Sequence, residues 1–330
     1  MERFVFVTAI ILAVIFGLYA MASRGIGDSF HFSIDGDGGV AAIAETTAAR
    51  LEPTPFSGAE LELKHLAAFV TVIPEDRADY LIEIDNPGGV PMPTVSEDGG
   101  RVVVDGRLRG RIASCADDGG ARLRGYDDVT AEQLTRITIR APRTLDIDRG
   151  GAGRTEIGAT EALDLDFAGC GAAVVGDVAG AFNLEAAGAG NVQVGSVRRL
   201  EADVAGAGDV TVAAVAEAAD IDQAGAGTFT INTLTGSLDL SAAGAGDLIV
   251  SGGAVTVADL DLAGAGNVRI AGPVERLKVS IVGVADVDVE GVVGDLDAEI
   301  AGPGAVSVQS VTGSVRRQIA GPGAVNIGDR

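Results

Sequence analysis

Beyond Pro142 apolar and polar residues alternate in short bursts, and the bursts recur. A small-residue signature, usually Ala-Gly-x-Gly, has its first glycine at 151, 169, 188, 206, 225, 244, 264, 283, 302 and 321, a period of 18–20 residues. Six residues before that glycine stand Leu145, Leu163, Phe182, Leu200, Leu238, Leu277 and Leu296. Four before it stand Ile147, Leu165, Leu184, Ile221, Leu240, Leu260 and Val279. The positions five and three before it are mostly Asp or Glu. A period of two with one apolar face predicts a strand in every repeat. Four and six after the glycine the pattern returns, in Val192 and Val194, Val210 and Val212, Phe229 and Ile231, Val268 and Ile270, Val325 and Ile327. That is a second strand. Val178, Val197, Val215, Leu234 and Val311 mark a short third side.

One repeat alone would expose its apolar face, so the units must stack. Equivalent strands then pair in parallel at ~4.8 Å, and ten coils extend ~45–50 Å. The predicted fold is all-β, a parallel β-helix over residues 143–330, right-handed by the crossover preference. A left-handed hexapeptide helix would need an apolar residue every six positions, which the sequence does not show. The glycine corner suits backbone angles closed to other residues and close approach between coils.

Upstream the pattern is strand-like but irregular over residues 51–142. Leu61 and Leu63, Val70 and Val72, Ile82 and Ile84, and Val102 to Val104 lie between turn signals such as Asn86-Pro87-Gly88-Gly89. Residues 23–50 read as a linker with a short strand at 30–34. In residues 1–22 an apolar run at 4–19 follows Arg3 and precedes Ala20-Met21-Ala22, the pattern of a signal peptide; uncleaved, its apolar helix would be a membrane anchor.

Composition sharpens this picture. Glycine numbers 48 against 10 Phe, 3 Tyr and no Trp, so the core is stacked aliphatics rather than rings. A formal charge of −23 excludes a nucleic-acid binder. His31 and His65 are the only histidines and lie outside the repeats, leaving little for imidazole chemistry. Cys115 and Cys170 fit an oxidising compartment as one disulfide, or serve as two separate small apolar fillers. Arg107, Arg109, Arg111, Arg122 and Arg124 read as a solvated loop near Asp117, Asp118, Asp127 and Asp128. Asp35-Gly36-Asp37-Gly38-Gly39 resembles part of a calcium loop but reads as a turn.

Stacking turns each repeat position into a ladder. One holds Asp146, Asp164, Glu201, Asp220, Asp239, Asp259 and Asp297; its neighbour holds Asp148, Asp166, Glu185, Asp203, Asp222, Asp261 and Glu299. Like charges at ~5 Å repel. The plain reading is a solvated face that keeps the sheet from aggregating. The sharper one is a surface that collects divalent cations such as Ca2+, or a basic partner. Asn191, Asp209, Asp247, Asn267 and Asp286, three after the glycine, read as turn caps. No Ser/His/Asp constellation, phosphate loop or metal-ligand spacing is present, so no catalytic or cofactor residue is assigned and no enzyme is expected. A polysaccharide-active β-helix is the alternative, disfavoured by the scarcity of aromatic platforms for sugar.

The recurrent Ala-Gly-Ala-Gly-[Asp/Asn]-Val at 187–192, 205–210 and 263–268 resembles the bacterial family described as putative auto-transporter adhesin, head GIN domain. Phe56-Ser57-Gly58, Val70-Thr71-Val72-Ile73 and Ile137-Thr138-Ile139-Arg140-Ala141-Pro142 look like its lead-in. The resemblance covers roughly residues 51–330 and implies a secreted or envelope-anchored β-helix with no accepted catalytic residues. The expected function is an exported structural or binding module, in the periplasm or at the cell surface. Its expected partner is an envelope or extracellular protein or glycan. Membrane contact is expected through the N-terminal segment only, and a homo-oligomer is allowed. Gly283-Val284-Ala285-Asp286 and the turns at Pro303 and Pro322 depart from the common corner and suggest a modified C-terminal cap.

Overall fold

A computed structural model describes residues 46–116 and 119–328. The expected N-terminal apolar helix, and the linker as far as residue 45, lie outside these residues. The described regular structure is all strand apart from a single 3-10 turn at Ala131–Gln133.

The first coil is assembled around β2. In chain order the strands are β1 (Ala49–Phe56), β2 (Glu60–Pro74), β3 (Tyr80–Asn86), β4 (Thr94–Asp98), β5 (Arg101–Asp105), β6 (Ile112–Cys115), β7 (Ala121–Leu123), β8 (Thr135–Ala141), β9 (Thr144–Ala152) and β10 (Arg154–Ile157). β2 turns a corner near His65, which has φ 51°. Its first part pairs in parallel with β5 and β9, and its second with β8 and β10. One strand therefore starts two faces. Antiparallel strands finish this end: β4 lies on β5, β3 on β8, and β1 on β3. Pro53 and Pro55 remove two N–H donors from β1, which blunts that edge.

From β9 onward the predicted spiral of parallel strands is present. On one face the register runs Leu145, Leu163, Phe182, Leu200, Ala219, Leu238, Ala258, Leu277, Leu296 and Val315. On the second it runs from Val70 through Thr155, Ala173, Val192, Val210, Phe229, Leu248, Val268, Val287 and Val306 to Val325. Val178, Val197, Val215 and Leu234 line the third side in register. The inward residues of successive coils form one continuous aliphatic core. Alanines among the leucines match small to large across the narrow interior, which keeps the packing dense.

The glycine corner works in two ways. Gly206 has φ 134°, and a Cβ there would overlap the Gly188 carbonyl oxygen one coil away. At Gly208 the constraint is proximity: a Cβ would overlap the Gly190 carbonyl oxygen. Coils therefore touch backbone to backbone at this corner.

Candidate functional site

Parallel register places the acidic positions side by side, because equivalent residues of successive coils face the same way. One column reads Asp146, Asp164, Asn183, Glu201, Asp220, Asp239, Asp259, Lys278, Asp297, Arg316. Its neighbour reads Asp148, Asp166, Glu185, Asp203, Asp222, Ser241, Asp261, Ser280, Glu299, Gln318. The carboxylates singled out in the sequence thus share one solvent-facing sheet surface. Non-acidic residues interrupt both columns. Asn183 donates to Asp164, Lys278 binds both carboxylate oxygens of Asp259 at 2.7 and 2.8 Å, and Gln318 donates to Glu299 at 3.0 Å. These breaks relieve repulsion, and they are most frequent in the C-terminal coils, at Lys278, Ser280, Arg316 and Gln318.

Burial first, and then like charge, moves protons on this face. Asp146 is pushed up to about 6, first by burial and then by the charges of Glu60, Asp148 and Asp164. Asp203 also rises to about 6, through burial and then Asp222, Glu185, Glu201 and Asp220. Asp166 rises to about 7, through burial, a hydrogen bond shared with Asp148, and Glu185 nearby. Burial and like charge raise Asp220, Asp239 and Asp261 as well.

The Asn/Asp column three after the glycine does more than cap its own turn. Asn191 accepts from Asp209 N–H at 3.0 Å, Asp209 from Thr228 N–H at 2.8 Å, Asp247 from Asn267 N–H at 2.8 Å and Asp286 from Ala305 N–H at 2.9 Å. Each is a bond to the next coil rather than the local turn bond the sequence suggested. Asp177 and Asp295 staple Ser196 and Ser314 in the same way, at 2.7 Å each. The hydrogen bonds from Ser314 hold the Asp295 carboxyl below the usual range. Among the described residues, no three His, Cys, Asp or Glu side chains form a group that could hold a metal ion.

Two features escaped the sequence pattern. Arg149 stands at an inward position filled by Phe167 in the next coil, and it is 2% exposed. It donates to Thr155 Oγ1 at 3.0 Å and to the carbonyls of Gly150 and Ala152 at 2.7 Å each. Burial alone lowers its pKa to about 10. The second feature is an excursion between β5 and β8, whose hairpin β6–β7 packs its own small core of Leu108, Ala121, Leu123, Val129 and Leu134 with Ala67 and Ala152 of the first coil. A disulfide joins Cys115 on β6 to Cys170 in a glycine corner, with Cα atoms 5.7 Å apart. The basic stretch lies on this excursion; Arg107 donates to the Met92 carbonyl at 2.6 Å, and Arg122 approaches Asp128 at 3.9 Å. Asp117 and Asp118 fall outside the described residues. Two small pockets of about 10 Å³ each lie along the glycine corner, beside Gln223 and beside Phe167.

A stack of coils with a glycine corner, an Asn/Asp staple and a charged outer face is the arrangement on which the comparisons bear. Residues 101–254 and 219–329 match the family described as "Putative auto-transporter adhesin, head GIN domain", together well over half of the sequence. The chain belongs to this family. The GIN-domain chain also aligns with a crystal structure of a "putative adhesin" from Parabacteroides merdae at 12% identity, covering 86% of this chain and 97% of that one, TM-score 0.39. A "putative lipid binding protein" from Parabacteroides distasonis aligns at 15% identity, covering 85% and 96%, TM-score 0.43. A "putative adhesin" from Bacteroides fragilis aligns at 14%, covering 85% and 96%, TM-score 0.35. At these scores the likeness says nothing of ligand or partner. No curated protein matches the GIN-domain chain. Among the described residues no helix is long and apolar enough to cross a membrane.

Proposed function

We propose that this protein is an exported, envelope-associated binding module without catalytic activity, which presents its acidic face to a basic region of an external protein or glycan. The observation that carries the reading is the pair of in-register carboxylate columns on a solvated, regular face. Backbone pairing, rather than flexible loops, positions those charges, so binding loses little ordering entropy. A basic partner would relieve the like-charge repulsion that, after burial, raises Asp146, Asp166 and Asp203. The family's description as an adhesin agrees with a binding role. Export is supported by the apolar run at 4–19 and by a disulfide that persists in an oxidising compartment. The coils are taken as right-handed on the crossover preference.

The test compares the native chain with the variant Asp203→Asn, Asp220→Asn, Asp222→Asn, Asp239→Asn, on a glycan array and in quantitative capture from envelope extracts. A partner on this face binds the native chain, is released by salt, and is lost from the variant. Equal capture by both proteins sinks the reading. Turnover of an acidic polysaccharide by the native chain would show an enzyme instead.

A further inference from the structure

One core column closes on an acid at one end and on a base at the other. The column of Ile147, Leu165 and Leu184 is aliphatic as far as Ala298, and the next strand then supplies Arg317. In the other direction it passes through Leu61 and Val102 to Glu97 in β4. The adjoining outward column behaves alike. Past Asp297 it ends on Arg316, and past Glu60 and Arg101 it ends on Asp98.

Both terminal strands are open edges among the described residues. β4 pairs only with β5, and Val315–Ala320 pairs only with Asp286–Ala301. Every residue of Val315–Ala320 is exposed, including Val315 at 40% and Ile319 at 42%. Their column mates Leu296 and Ile300 are buried. An inward charge on an edge strand ordinarily deters pairing with another chain. Here the two deterrents have opposite signs and stand at opposite ends of the same columns.

We propose that a second copy of this chain docks head to tail, its β4 edge adding to the edge of Val315–Ala320. β4 runs antiparallel to β5, and β5 runs parallel to the stack, so the new pair is antiparallel. Column positions then dictate the contacts. The second copy's Glu97 meets Arg317, its Asp98 meets Arg316, its Ser96 meets Gln318 and its Val95 covers Ile319. Each charge finds its opposite, and Ile319 is covered. The other face contributes less, because Pro53 and Pro55 leave β1 short of donors. Tail-to-tail contact would set Arg316 and Arg317 against themselves, and head-to-head contact Glu97 and Asp98, so polarity is enforced by repulsion. The contact is heterologous and coaxial, and it propagates into chains rather than closing.

Sedimentation of the chain as isolated from cells, at low and high salt, tests this beside two variants, Glu97→Arg with Asp98→Arg, and Arg316→Glu with Arg317→Glu. The native chain is expected to form concentration-dependent assemblies that salt shortens. Each variant alone should associate on the order of a hundredfold more weakly. An equimolar mixture of the two variants should assemble again, since the reversed head of one meets the reversed tail of the other and their unaltered ends meet each other. The four side chains are exposed, and the contact Glu97 makes within the chain is an exposed hydrogen bond accepted from Ser57 N–H at 2.6 Å, so thermal melts of the variants should stay close to that of the native chain. If a double variant loses its melting transition, Glu97→Arg and Arg317→Glu alone make the same comparison. A native chain that stays monomeric overturns the proposal, as does a mixture no larger than its components. Assembly unchanged in both variants does so too, because association through the apolar residues 4–19 would be indifferent to these charges.

Discussion

Lowering the pH from about 8 to about 5.5 loads protons onto the carboxylate columns, and the direction of the response can be worked out. Asp146 and Asp203 stand at about 6 and Asp166 at about 7 in the folded chain, against 3.8 for a free carboxyl. A group raised on folding contributes stability that is complete below its unfolded value and lost as pH rises through its folded value. Stability should therefore grow as pH falls through 7 toward 4. At about 1.4 kcal/mol per unit the shifts would be worth about 3 kcal/mol or more each. These side chains face solvent, and screening reduces that to roughly 0.5–1 kcal/mol apiece. The sum is about 2 kcal/mol, of which on the order of 1 kcal/mol is gained by pH 5.5 and the rest below it, so the midpoint should rise by roughly 2–4 °C over the range measured. Circular-dichroism melts across that pH range at low salt would measure it. High salt should flatten the profile, and Asp166→Asn with Asp203→Asn should raise the midpoint at pH 8 while reducing the slope. A midpoint that is constant or falls between pH 8 and 5.5 would refute the electrostatic reading of the columns. Below the usual carboxylate range the sign reverses for Asp295, whose lowered pKa makes its contribution fade in acid.

Substitution at the glycine corner should be costly: Gly206→Ala strains a left-handed backbone and meets the Gly188 carbonyl, with an expected loss of about 1–3 kcal/mol in urea titration. Gly208→Val should destabilise by crowding alone, and normal thermal stability in that variant would count against the close approach of coils. Cys115→Ser with Cys170→Ser should lower stability by about 2–4 kcal/mol and expose the β6–β7 excursion to protease. Protease resistance equal to that of the native chain would mean that the small core around Leu108 and Leu123 holds the excursion without the bond.

Much of the fold was legible because a solenoid repeats its instructions. Leu238, Leu240 and Gly244 carry little information singly, but in register with Leu163, Leu165 and Gly169 they fix strand, face and corner together. The same logic exposed the acidic columns, since a position repeated in sequence becomes a neighbour in space. It failed wherever a residue left the repeat. Arg149 reads as one more charge beside Asp148, and only the inward register shows it donating to buried carbonyls. The bond from Cys115 to Cys170, one of the two readings the cysteine pair allowed, came from the cysteine count and not from the period, since it joins an irregular excursion to a corner. Lys278 and Arg316 were hidden by aligning on the acids that dominate their column. The termini matter for the same reason. A repeat determines every coil by its neighbours, so the first and last coils are where the sequence must decide separately what is to meet the open edge. At these two ends it set Glu97 and Asp98 against Arg317 and Arg316 in the same two columns. A sequence selected only to prevent association could have used one sign at both ends, as tails of like charge repel in every orientation. Opposite signs forbid two of the three end-to-end contacts and favour the third.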